Sequence, residues 1–284
     1  MPDKYDRETY ESELKKLDDL LGTAILVSDT IGGIKTSTRY VRATQLYTRL
    51  VAASLTFLRV LPGNKHARTD VEWWDWPSIG MLARGLIETY NTFFYIGVEK
   101  VSSAEVEFRI NLMHFHLNSE KYRLYRDWGK PDEELQDFVE GLPIDKDRLK
   151  ANVSFQSLPE RQQIQLLKGK TPMHLSHHEI NERAKIITKS FKPIYRLFSN
   201  QVHTTPLSFQ SQSNIRGRGF ENDAERFYIT LATQVAVKYL ANAVINMADI
   251  FPKQLKKQSF LIFLERARKL ARHPLHAVTS RPVL

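Results

Sequence analysis

The chain has 284 residues, of which 42% are hydrophobic, a formal net charge of +9 and no cysteine. The lack of cysteine excludes disulfides, thiolate metal sites and cysteine nucleophiles. No apolar run approaches the roughly 20 residues that span a bilayer, and the charged N-terminal stretch does not resemble a signal peptide. We therefore expect a cytoplasmic protein with no membrane partner and a sizeable hydrophobic core.

The charges are unevenly placed along the chain. Residues 1–29 contain eight acids and four Lys/Arg, whereas 30–69 contain seven Lys/Arg and no acid, and 253–284 contain eight Lys/Arg and one acid. Basic stretches of this kind favour nucleic acid, an anionic surface or an acidic partner. Solvated helix faces with a solubilising tail would give the same pattern, so charge alone leaves both readings open.

The hydrophobic pattern is helical almost throughout, with no series of alternating strands. The first four helices are expected at about 5–28, 38–61, 77–98 and 102–128. Gly32 and Gly33 break the first, and Pro62-Gly63-Asn64 ends the second. Ser102 with Glu105 forms a capping box for the fourth.

The region 129–175 reads as a helical insertion between bundle helices. We expect a short helix at 131–139 closed by Gly141, an irregular stretch at 142–157, and another short helix ending near Gly169. The bundle core then comprises 1–128 and 176–252, within a single helical domain of 1–284. A basic C-terminal helix and tail follow at 253–284.

The second half of the bundle begins with a third capping box, Ser176 with Glu179. Pro193 implies a kink or a restart of the helix, which then runs to Thr205 and stops before Pro206. A polar loop is expected at 206–220, followed by a long helix at about 222–251 and a last helix at about 254–272.

The segment 195–203 carries the strongest functional signal. Arg196 and His203 are seven positions apart, so on one α-helix they lie two turns apart on the same face. A guanidinium binds a phosphodiester and an imidazole exchanges a proton near neutral pH. We take Arg196 and His203 as candidate catalytic residues, with Ser199 and Asn200 as hydrogen-bonding support.

The third helix carries a narrow polar stripe on an otherwise apolar surface. Arg84, Glu88, Asn91 and Tyr95 recur at i, i+4, i+7 and i+11. An ordinary surface ion pair between Arg84 and Glu88 would explain the first two. Alternatively, the stripe faces a cleft in which Arg84, Glu88 and Asn91 orient the Arg196/His203 pair.

Two blocks carry a family resemblance: Ala83-Arg84-Gly85-Leu86-Ile87-Glu88, and Tyr195-Arg196 through Ser199 to Val202-His203. They resemble an uncharacterised bacterial family of helical proteins, which in turn is similar to the HEPN superfamily. The similarity is strongest over about 40–100 and 175–250. HEPN proteins are helical bundles that usually dimerise, and their signature is an Arg, four to six residues and a His.

The resemblance implies an all-α, HEPN-like bundle, a homodimer and, in catalytic members, RNA cleavage without metal, often in toxins or antiviral effectors with a neutralising partner protein. Arg196 and His203 fit the signature with six intervening residues. One departure is Leu197, because that position is usually Asn, Asp or His. Asn200 would have to supply the polar group from a different angle.

The resulting hypothesis is a metal-independent endoribonuclease of a bacterial defence or toxin system, with no cofactor. RNA supplies its own nucleophile, the 2′-OH, and the expected product is a 2′,3′-cyclic phosphate. The alternative is a non-catalytic module that binds a nucleotide, nucleic acid or a protein in the same pocket.

Other signals are weaker. Arg216 and Arg218, in the loop, and Lys256 and Lys257, in the last helix, are candidate nucleic-acid contacts. The histidines lack the i, i+4 pairing with an added carboxylate that a helical zinc site shows, so no metal is expected. The Trp73, Trp74 and Trp76 cluster could stack on bases, although such clusters are more often core or interface.

Overall fold

The computed structural model describes residues 6–66, 71–187, 190–203, 205–210 and 219–275, and within these ranges the protein is all-α. The helices follow the chain in this order: Arg7–Ile31 (α1), Thr38–Val60 (α2), Trp76–Phe93 (α3), Ser103–Asp127 (α4), Asp132–Ala151 (α5), Val153–Gln156 (α6), Glu160–Leu166 (α7), His177–Ala184 (α8), Phe191–Val202 (α9), Pro206–Gln210 (α10), Asp223–Ile250 (α11), Pro252–Leu255 (α12) and Gln258–Arg272 (α13). One isolated bridge, between Trp74 and Gly219, is the only β-type pairing in those ranges.

The chain forms two compact units, Met1–Val98 with Ile180–Leu284, and Glu99–Glu179. The first is built around α11, which is apolar nearly all round and buried along most of its length. Helices α1, α2, α3 and α13 pack against α11, and α9 packs against α3. This arrangement brings the two sequence blocks, on α3 and α9, side by side.

The second unit has its own hydrophobic core. Helix α4 packs against α5 and α6, and the side chains between them exclude water: Phe108, Leu112, Phe115, Leu149, Phe155 and Leu166. The sequence pattern predicts that α4 belongs to the bundle and that only 129–175 is inserted between bundle helices. The structure groups α4 with that region, because one apolar face of α4 is covered there.

Helix α5 corrects the sequence analysis. The short helix was expected to end at Gly141, with irregular chain from 142 to 157, but α5 continues through Pro143 to Ala151. Pro143 has no N–H for the carbonyl of Val139. Val139 is exposed, so water can satisfy that carbonyl, and packing of Leu149 in the second core stabilises the continued helix.

Two helix ends also differ from expectation. The third helix ends at Phe93 and passes into a π-helical turn, Phe94–Val98. The motif helix α9 restarts at Phe191, with Pro193 in its first turn, and ends at Val202 rather than Thr205. No helix in the described ranges combines the length and apolarity needed to cross a membrane.

Candidate functional site

Helix α3 supplies an ion pair to the candidate site. The side chain of Asp75 caps the helix by accepting from the Ser78 N–H, and Pro77 occupies its first turn. Arg84 and Glu88 are one turn apart, and Arg84 Nε donates to Glu88 Oε1 at 2.8 Å. Both side chains are partly buried, so the pair is less screened by water than an exposed one.

Tyr195 on α9 completes the pair from the opposite side. Its hydroxyl donates to the same Glu88 Oε1 at 2.6 Å, and the Arg84 guanidinium carbon lies 5.4 Å from the centroid of its ring. Glu88 therefore accepts from both neighbours, and Arg84 is held by a charge on one side and an aromatic face on the other.

His203 lies at the C-terminal end of α9, one residue beyond the last helical position. Its Nε2 is 3.5 Å from Arg84 Nη1. Because a guanidinium can only donate, Nε2 is the acceptor in this contact. The imidazole is exposed to solvent. The guanidinium beside His203 is thus the one on α3, and the four side chains of Arg84, Glu88, Tyr195 and His203 form what we call the α3–α9 cluster.

Arg196 occupies a different position from the one its spacing suggested. Since α9 ends at Val202, His203 does not share a continuous helix with Arg196. Two turns separate them by about 10 Å along the axis. The Arg196 side chain is exposed and makes no hydrogen bond or ion pair with any residue that the structure describes. It is an exposed cation on α9, next in sequence to Tyr195.

Ser199 and Asn200 are engaged in bonds within α9 and its exit. Ser199 Oγ donates to the Tyr195 carbonyl at 2.7 Å, and Asn200 Nδ2 donates to the Arg196 carbonyl at 2.8 Å. Thr205 Oγ1 donates to Asn200 Oδ1 at 2.7 Å. Both residues therefore stabilise the C-terminal end of α9, which His203 follows. Their roles as ligands of a phosphate stay a prediction.

Asn91, Lys256 and Lys257 do not join the cluster. Asn91 is fully buried within α3, below the solvent-exposed part of the stripe. Lys256 forms an ion pair with Asp249 at 2.7 Å, and Lys257 is exposed just before α13. Arg216 and Arg218 lie outside the described residues. Over the described part of the chain, no group of three or more acidic or histidine side chains could hold a metal ion.

Two pKa shifts define the charge state of the cluster. Burial, together with the hydrogen bond to Glu88, raises the pKa of Tyr195 to about 12, so the phenol keeps its proton at neutral pH. For Arg84, partial burial lowers the pKa, but the hydrogen bond to Glu88 and its charge reverse that effect and leave the pKa raised. The cluster thus holds a protonated guanidinium, paired with the Glu88 carboxylate, next to an imidazole.

Tyr195 is the residue that the sequence analysis did not assign to the site. It falls between Phe191 and Phe198, in the apolar stripe of α9, and so fits the pattern of a core residue. The available signal was its hydroxyl, because a tyrosine on a buried stripe needs a hydrogen-bond partner. Glu88 is that partner.

The cluster must be interpreted from its own chemistry. Comparison of the chain with protein-family models, with curated proteins and with solved structures found no match.

Proposed function

We propose that this protein is a metal-independent endoribonuclease with a HEPN-like fold, in which His203 transfers the proton and arginine binds the phosphate. The observation that carries the proposal is the 3.5 Å approach of Arg84 Nη1 to His203 Nε2 at a solvent-exposed position. A cation that binds the phosphate and an imidazole that transfers a proton are elements that metal-free cleavage of RNA can use.

The reaction uses the 2′-OH of RNA as nucleophile. When RNA binds, the Arg84 guanidinium turns from His203 Nε2 to the phosphate, and Nε2 accepts the proton of the 2′-OH. The 2′-oxygen attacks phosphorus, and the bond from phosphorus to the 5′-oxygen breaks. The 5′-oxygen takes a proton from water, and His203 returns its proton to solvent. The products are a 2′,3′-cyclic phosphate and a 5′-hydroxyl. Because the nucleophile belongs to the substrate, neither a nucleophilic side chain nor a metal is needed.

The two arginines have separate parts in this proposal. Arg84 is held in place by Glu88 and Tyr195 and stabilises the negative charge that builds on the phosphate oxygens. Arg196, exposed and without a partner among the described residues, binds the same or the adjoining phosphate. Replacing either with lysine would keep the charge but lose the planar, two-point geometry that matches a phosphate.

The biological setting belongs to the same proposal and is supported by the sequence resemblance. We place the protein in the cytoplasm of a bacterium, as a homodimer in a defence or toxin system with a neutralising partner protein. The basic stretches at 30–69 and 253–284 favour RNA as the substrate.

The decisive experiment compares His203→Ala with His66→Ala in RNA cleavage assays that contain a chelator. His66 is also exposed, but it contacts Asp18 and not the α3–α9 cluster, so it controls for loss of any surface histidine. We expect His203→Ala to lose at least a hundred-fold in rate, as removal of a general base does, with an unchanged melting temperature. Wild-type activity in His203→Ala would refute the mechanism.

The non-catalytic alternative makes a different prediction in the same assay. If the wild-type protein binds RNA in a salt-sensitive manner but releases no cyclic phosphate, the site binds without cutting. In that case Arg84→Ala and Arg196→Ala would weaken binding, and His203→Ala would have little effect.

A further inference from the structure

A pair of exposed aromatic rings lies in the first unit, among residues that the nuclease proposal does not use. The side chains of Trp73 and Phe220 are 57% and 63% exposed, and their ring centroids are 6.1 Å apart at an interplanar angle of 34°. We call them the aromatic patch. Trp74 and Trp76, by contrast, are buried. The tryptophan cluster seen in the sequence is therefore partly core and partly surface.

A backbone hydrogen bond joins the two segments that carry the aromatic patch. The Trp74 N–H donates to the Gly219 carbonyl at 2.9 Å, which ties the segment before α3 to the segment before α11. Gly219 has φ +96°, and a Cβ there would come within 3.2 Å of the Trp73 ring. Only glycine fits this position without strain, because it lets the ring lie directly on the backbone. Rings fixed in advance lose little freedom when they bind.

Carboxylates adjoin the aromatic patch along the chain, because Glu72 precedes Trp73 and Glu221 follows Phe220. Arg7 makes hydrogen bonds to three of them, at 2.8–2.9 Å, and Arg226 pairs with two, one of which it shares with Arg7. The carboxylates, which we call the acidic rim, are Glu11, Glu72, Glu221 and Asp223. Among the described residues, two guanidiniums against four carboxylates leave this network with a charge of −2, in a chain whose formal net charge is +9.

The charge decides what such a patch would bind. Exposed aromatic rings attract both nucleic-acid bases and cationic side chains. A polyanion would meet the excess of carboxylates in the acidic rim, whereas a cationic side chain would be attracted by both the rim and the ring faces. Asp223, 82% exposed, is the rim carboxylate most accessible to a partner.

We propose that the aromatic patch and its acidic rim form a docking surface for an arginine- or lysine-bearing segment of another protein. A cationic side chain of the partner stacks on the exposed face of Trp73 or Phe220, and Asp223 pairs with it or with its neighbour. The proposal goes beyond RNA cleavage and does not depend on it.

The test uses a peptide of three Arg-Gly repeats as probe and the fluorescence of Trp73 as readout. The chain has four tryptophans. Trp74 and Trp76 are buried, so in a Trp128→Phe background Trp73 is the exposed fluorophore. We expect the peptide to change its emission, and the effect to weaken as salt rises. A matched peptide of Asp-Gly repeats should have no effect.

Variants distinguish specific binding at the docking surface from nonspecific binding. Three substitutions should weaken peptide binding by about two- to five-fold, the range of a cation–π contact. Phe220→Ala and Asp223→Asn are made in the Trp128→Phe background and followed by fluorescence. Trp73→Ala, which removes the fluorophore, is measured by calorimetry. Trp128→Ala should not weaken peptide binding, although Trp128 is equally exposed. Equal loss in Trp128→Ala, or binding of the acidic peptide, would overturn the proposal.

Two further outcomes would also overturn it. If oligouridylate rather than the arginine peptide changes Trp73 emission, the aromatic patch is part of a nucleic-acid site. If Trp73→Ala alone alters the sedimentation coefficient of the purified chain, a second copy covers the patch. RNA cleavage measured in the same variants stays a separate readout, so failure of the docking proposal and failure of the nuclease proposal are distinguishable.

Discussion

At the level of single residues, the site depends on one carboxylate oxygen shared by two donors. Glu88 Oε1 accepts from Arg84 Nε and from the Tyr195 hydroxyl, and Arg84 then reaches His203. A chain of contacts of this kind fixes the guanidinium before any ligand arrives. Tyr195 is therefore a positioning residue in our proposal, because it acts on His203 through Glu88 and Arg84.

Tyr195→Phe tests this role. Loss of a hydrogen bond to a half-exposed carboxylate should cost about 1 kcal/mol of the free energy of unfolding. If Arg84 loosens as a result, RNA cleavage should fall about five-fold, the equivalent of ~1 kcal/mol in the barrier. Tyr122→Phe is the matched control, because Tyr122 also faces an arginine, Arg126 at 5.9 Å, but its hydroxyl has no partner among the described residues. The same loss in both variants would count against a positioning role.

The Tyr195 phenol also predicts a pH dependence of stability. Burial and the hydrogen bond to Glu88 raise its pKa from 10.0 to about 12. Between these values the unfolded chain has released a proton that the folded protein still holds, so stability falls as pH rises. The contribution is complete below pH 10 and is lost on approach to pH 12.

Urea denaturation at pH 9 and pH 11 checks the sign of this dependence. The difference in unfolding free energy between wild type and Tyr195→Phe should shrink at the higher pH, because only the wild type has the phenol to titrate. A difference that is constant or grows would show that Tyr195 does not keep its proton as the contacts require.

At the level of secondary-structure elements, apolar periodicity and capping residues predicted most helices. Ser102 accepts from the Glu105 N–H at the start of α4, which is one half of the predicted capping box, and the Glu105 carboxylate accepts from Arg109 Nε. The extension of α5 through Gly141 and Pro143 was not predicted, because it depends on contacts of Leu149 with residues distant in sequence. Likewise, Arg84 and His203 are 119 residues apart, so only the packing of α3 on α9 shows that they touch.

The π-helical turn after α3 explains why residue 97 is glycine, which the sequence pattern did not explain. A Cβ at Gly97 would lie 2.5 Å from the Cβ of Ala43 on α2, so α2 and the turn approach too closely for a side chain. Gly85, on the exposed side of α3, has no neighbouring atom within 4 Å of the equivalent position. The two glycines, twelve residues apart in one helical segment, thus differ in packing: Gly97 is in close contact with α2, whereas Gly85 has open space around it.

Alanine substitutions should therefore have opposite effects at these positions. Gly97→Ala should destabilise the protein by about 1–3 kcal/mol through overpacking. Gly85→Ala should be neutral or stabilise it by up to about 1 kcal/mol, the gain in helix propensity. Thermal unfolding followed by circular dichroism measures both. Equal melting temperatures for the two variants would mean that α2 does not approach the turn this closely.

At the level of the whole molecule, acidic and basic residues are concentrated in different regions of the chain, and we expect a different ligand for each region. Helix α1 is acidic, and Lys15 on it pairs with Asp19. The segment leading into α13 is basic, and Lys257 there is exposed with no ion pair among the described residues. This division is read directly from the sequence, because formal charge needs no tertiary information. It could not show that Lys256 is engaged by Asp249.

Salt dependence of RNA binding tests the assignment of the basic region. Each phosphate contact on a single strand adds about 0.7 to the slope of log affinity against log salt. If Lys257 touches a phosphate, Lys257→Gln should lower that slope by about 0.7. Lys15→Gln, which removes the same charge from the acidic helix, should leave it unchanged. Anisotropy of labelled oligouridylate with His203→Ala protein, between 50 and 200 mM salt, gives the slopes without cleavage. Identical slopes for Lys257→Gln and its parent would show that Lys257 does not contact the RNA, since a protein that has lost a phosphate contact releases fewer counterions on binding.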